Sequence, residues 1–107
     1  MTRTLVVLLL IASASGAGAI DANRFLQLDT ELLACFDQQA VRLDDGRSDA
    51  RSVAAGVFAA CGPAKMKLLS EMGFSSQEAV AKAYRDGRDQ DVDRATIAVL
   101  KARVGKR

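Results

Sequence analysis

The 107-residue chain has no His and no Trp, and only one Tyr and one Pro. Without His it lacks the commonest general base, the commonest metal ligand and the usual charge switch near neutral pH. The single Pro leaves long helices unobstructed. Half of the residues are hydrophobic, but many of these are Ala, the strongest helix former. An all-α fold of one domain is expected. Charge of one sign is also missing: the formal net charge is +2, and loss of Arg3 alone would leave +1. That balance implies neither nucleic acid nor a membrane surface as partner.

The first nineteen residues read as a targeting segment. Met1-Thr2-Arg3 is a short positive start, Leu5 to Ala12 is an unbroken apolar run, and Ala17-Gly18-Ala19 has the A-x-A form of a signal peptidase site. Cleavage is expected after Ala19, leaving a small helical domain over 20–107 that is periplasmic or secreted. The apolar run falls short of the ~20 residues of a spanning helix, so no stable membrane anchor is expected after cleavage.

Two Cys in a short exported chain suggest one disulfide, Cys35 to Cys61. Apolar residues recur at helical spacing on both sides. One stripe is Phe25, Leu28, Leu32, Cys35/Phe36, Ala40 and Leu43; the other is Val53, Val57, Cys61, Ala64, Leu68 and Met72. Between them, Gly46 suits a left-handed residue past a helix end, and Ser48 suits an N-cap, with Asp49 in the first turn that follows. The segments predict an antiparallel hairpin. Cys35 lies ~16 Å from the turn along its helix and Cys61 ~20 Å, a mismatch of less than one helical turn. Sulfurs at that depth on facing helices can bond. Two thiols without Cys-x₂-Cys spacing suit neither a zinc site nor a redox pair.

Gly62-Pro63 predicts a kink in the second helix rather than a stop. Gly73 ends that helix. Ser75 and Glu78 have the spacing of a capping box. Residues 75–104 then form one long helix or two short ones, divided near Gly87. The basic end, Lys101 to Arg107, reads as a solvated, frayed tail.

Chemistry-bearing patterns fail on inspection. Asp89, Asp91 and Asp93 begin like a calcium loop, but Arg94 and Leu100 stand where Gly and Glu are needed. Asp86, Asp89 and Asp93 leave at most a weak cation site. Asp44 and Asp45 sit at a helix end, where nothing desolvates one of them for acid–base work. No nucleophile has a base to activate it, so the chain is not expected to be an enzyme and no cofactor is implied.

The run Leu43-Asp44-Asp45-Gly46, then Ser48-Asp49-Ala50 and Val53-Ala54, between Cys35 and Cys61, resembles a group of small exported proteobacterial proteins of unknown function. The likeness covers about residues 32–61, and Gly62-Pro63 departs from it. It implies export and a turn between disulfide-linked helices, and it brings no activity or functional residues. Three roles suit such a chain: a periplasmic structural or protein-interaction module, acting on a partner or by self-association; a stress-type holdase, whose acid switch would run on carboxylates; and a weak metal or small-ligand binder. Phe36 and Phe58, at the margins of their stripes, are the expected contact residues of the first.

Overall fold

A computed structural model describes residues 20–106; the expected signal segment, 1–19, lies outside the described residues. Five α-helices and no strand are found among the described residues.

The first helix, α1 (Ala22–Leu43), runs for 22 residues without Gly or Pro. The Asp21 carboxylate caps it, accepting from the Asn23 amide at 3.0 Å. It ends at Asp44, whose backbone is extended. Gly46 then takes φ 74°, the left-handed conformation that a Cβ disfavours. The two aspartates knit the turn. Asp44 Oδ1 accepts from the Gly46 amide at 3.1 Å. Asp45 Oδ1 accepts from the Arg47 and Ser48 amides at 2.9 and 2.8 Å, and its Oδ2 from the Ser48 hydroxyl at 2.6 Å.

Those bonds correct the expected cap. Asp45 has engaged Ser48, so Asp49 caps α2 (Ala50–Ala60), accepting from the Ser52 amide at 3.1 Å. At Cys61 (φ −95°, ψ 13°) the helix breaks for one residue and restarts as α3 (Gly62–Ser70), a sharper interruption than the expected kink. Pro63 sits in the first turn of α3, where an amide donor has no helical acceptor anyway. Gly62 meets the chain closely: a Cβ there would lie 3.3 Å from Tyr84 Oη. The helix ends before Gly73, which lies in the following turn with φ 82°.

The expected capping box is displaced by one residue. Ser76, not Ser75, caps α4 (Gln77–Asp86), its hydroxyl accepting from the Ala79 amide at 3.1 Å. Glu78 therefore falls second in the helix instead of third. There its charge still favours the positive helix end, but it no longer completes a box. Gly87 separates α4 from α5 (Arg88–Gly105), so the C-terminal region is two helices.

The disulfide joins α1 to the end of α2, with Cα atoms 6.0 Å apart and 26 residues enclosed. The hairpin is real, but it is only half of the core. Leu28, Leu32, Phe36 and Ala40 of α1 pack with Ala54, Val57 and Phe58 of α2 and with Val92, Ala95, Ala98 and Val99 of α5. Phe36 and Phe58 are buried in this cluster, not at its margins; Phe58 also stacks on Tyr84 with ring centroids 5.1 Å apart. Conversely Leu43, Met72 and Val104, which follow the helical spacing, are exposed. Leu43 and Val104 lie in the last turns of their helices, on sides turned to solvent, and Met72 lies beyond the end of α3.

Candidate functional site

Helix α5 is the cover on the stapled hairpin. Its buried side chains are small, two Val and two Ala besides Asp91, so each contributes little apolar area. Charge supplies much of the rest. Arg94 Nη2 donates to both carboxylate oxygens of Asp29 of α1, at 2.8 and 2.9 Å. Lys101 reaches Asp37 of α1 at 3.5 Å. Arg103 binds Asp44, Nη2 to Oδ1 at 2.9 Å and Nε to Oδ2 at 3.1 Å, and also donates to the Ser48 carbonyl. From the other side, Asp91 meets Lys65 of α3 at 2.9 Å and Asp93 pairs with Arg51 of α2. Asp29, Asp37 and Asp44 meet Arg94, Lys101 and Arg103 in the same order, so α5 runs parallel to α1.

The basic run from Lys101 to Lys106 is therefore docked, not frayed; Arg107 lies outside the described residues. The helix continues to Gly105, and Lys106 reaches the Asp44 carbonyl at 3.4 Å. Asp44 closes the structure: it ends α1, bonds Gly46 in the turn and receives Arg103, with a side chain wholly out of solvent. Asp86, Asp89 and Asp93, considered as a weak cation site, face Lys82 and Arg51 instead. Among the described residues no three metal-capable side chains come together.

Where α1 and α5 lie side by side they leave an open groove. Its two stretches, of about 330 and 410 Å³, share Asp37, Ala98 and Lys101. The α1 wall presents Leu33 and Val41, which are 40% and 61% exposed; Leu26, seven residues before Leu33 on the same face, is 60% exposed. The α5 wall presents Ile97, also 60% exposed, with Ala98, Ala102 and Gly105. Phe36 forms part of the floor. Branched aliphatic side chains gain little from water, and a run of them along one groove marks a contact surface more than a scattering does. The disulfide, turn and cap residues singled out in the sequence do not line it. Cys35, Cys61, Gly46, Ser48, Ser75 and Glu78 build the scaffold around it.

Acid acts on the Asp44 clamp of α5 and on two carboxylates elsewhere in the fold. The hydrogen bond from Arg103 holds the Asp44 carboxyl below its usual value, and Arg24 does the same to Glu71, across α1 and α3. The Ser48 hydroxyl, followed by backbone amides, depresses Asp45 much further. Each of these groups binds its proton less tightly in the folded chain than in the unfolded one. Their stabilisation is thus complete above the ordinary carboxylate range and is lost as pH falls through it. Thermal melts should be flat from neutral pH to about 5.5 and fall steeply below about pH 4. Asp44→Asn should lower the neutral-pH melting temperature and flatten part of that fall.

No protein-family model, no curated protein and no solved structure matches this chain.

Proposed function

We propose that this protein is an exported protein-interaction module that binds through the groove between α1 and α5. The observation that carries the reading is the exposed line Leu33, Val41 and Ile97 on two parallel helices held rigidly by ion pairs. A disulfide suits an oxidising compartment, and no described helix is long and apolar enough to cross a membrane. The test is a photo-crosslinking residue placed at Ile97 in cells that express the full chain. Discrete adducts are expected from that position and none from Gln38, on an exposed face of α1 away from the groove. Equal labelling from both positions, or none from either, contradicts the reading.

A second reading, the acid-responsive holdase, is favoured by one observation: Arg103 of α5 is held by Asp44, whose carboxyl that hydrogen bond keeps below its usual value. Protonation loosens the cover while the disulfide retains the hairpin beneath it, freeing the apolar faces of both. In an aggregation assay near pH 3 this reading expects protection of an unfolded client that is absent at pH 7. No protection at either pH removes it.

A further inference from the structure

The charges along the groove are sorted by helix. Inside the groove the α1 wall carries Asp37 and the α5 wall carries Arg94 and Lys101; Asp29, paired to Arg94, stands just outside it. They alternate with apolar positions at matching heights. Asp29 is level with Arg94, and Asp37 with Lys101. Leu33 is four residues beyond Asp29, and Ile97 three beyond Arg94, so these two lie level as well, ~5–6 Å further along. Val41, four residues beyond Asp37, continues the apolar lining with Ala102 of α5. The groove is thus layered: charge, apolar, charge, apolar.

Because the two walls run parallel, a two-fold axis along the groove turns this face onto itself. Under that operation α1 of one copy lies over α5 of the other. Asp37 then faces Lys101 of the second chain at the same height, and Leu33 of each copy meets Ile97 of the other in the adjoining apolar layer. An axis across the groove would instead set α1 on α1 and α5 on α5, like charge against like. From this self-complementarity we infer that the occupant of the groove is a second copy of this chain, in a four-helix layer with α1 over α5 of its partner. The inference rests on the reading of the groove as an interaction surface and names what fills it.

The test is sedimentation velocity on the purified protein with its disulfide intact. The wild type should pass reversibly from monomer to dimer over about 10–100 µM, the range of a small, part-polar interface. Ile97→Lys, an exposed change, should weaken association about tenfold or more. Asp37→Lys and Lys101→Asp each set like charges against each other in that layer, and each alone should be monomeric over the same range. Mixed in equal amounts the two variants regain opposite charges across the interface and should associate as a heterodimer. An intramolecular role alone would not produce that rescue, and circular dichroism melts confirm that each variant is folded. A wild type that stays monomeric, or variants that fail to associate on mixing while still folded, overturns the self-pairing. Crosslinks from Ile97 to some other protein in that event leave the interaction reading standing. Their absence as well removes both.

Discussion

Removing the disulfide by Cys35→Ala is expected to cost about 3.5 kcal/mol, because the bond closes a 26-residue loop in the unfolded chain. For a domain of this size that corresponds to a fall in melting temperature of about 15–25 °C. The effect is large because little else is large. The fully buried side chains include one Phe and three Leu; the remainder are Val, Cys and Ala. A core this small supplies only ~3–5 kcal/mol of net stability, so the staple is comparable to everything else that holds the fold. Reduction of the wild type should give the same midpoint in urea as Cys35→Ala. A shift of a few degrees only would show that α5 and the ion pairs hold the hairpin without the staple.

The second large effect is expected at Lys65. Its ammonium, nearly out of solvent, lies 2.9 Å from Asp91 Oδ2, and Asp91 is 3% exposed. No hydrogen-bond donor is aimed at that oxygen, so its compensation is the charge of Lys65 itself, with Arg94 at 3.5 Å from Oδ1. Lys65→Ala leaves a buried carboxylate without its counter-ion and should cost about 3 kcal/mol, the usual size for a broken buried pair. Lys65→Met combined with Asp91→Leu removes both charges together and should recover most of that loss, since the desolvation cost disappears with them. Urea denaturation of Lys65→Met, Asp91→Leu and the double variant measures the coupling directly. Equal destabilisation by the single and double changes would mean that the pair acts by packing, not by charge.

The two kinds of bond divide the work. The covalent one keeps α1 and α2 together, and the ionic ones set α5 on them. Much of the first half is legible in the sequence. Helical spacing marks α1 and α2, Gly46 marks the turn, and counting residues from that turn brings Cys35 level with Cys61. The cap positions slipped by one residue because the turn offers neighbouring candidates. Ser48 and Asp49 can both accept from a helix amide, and only the capture of Ser48 by Asp45 decides between them. Ser75 and Ser76 pose the same choice.

The groove was not legible, for a different reason. Arg103 and Asp44 are 59 residues apart, and Arg94 and Asp29 are 65 apart. No local pattern links such pairs, so a basic C-terminus reads as a tail. Exposure of Leu33 and Ile97 follows from how α5 lies against α1, which only the packed chain determines. Periodicity alone instead favoured Phe36 and Phe58 as contact residues, and both lie in the core.

The placement of α5 parallel to α1 carries the groove, and with it the proposed function. Zero-length carbodiimide coupling measures it most directly, because it joins only carboxylates and amines already in contact. With Lys101 Nζ 3.5 Å from Asp37 Oδ1, peptide mass spectrometry of the monomer fraction should find an isopeptide bond between Asp37 and Lys101. Lys101 coupled to Glu78 or Asp86 of α4, with no product joining α1 to α5, would contradict the arrangement.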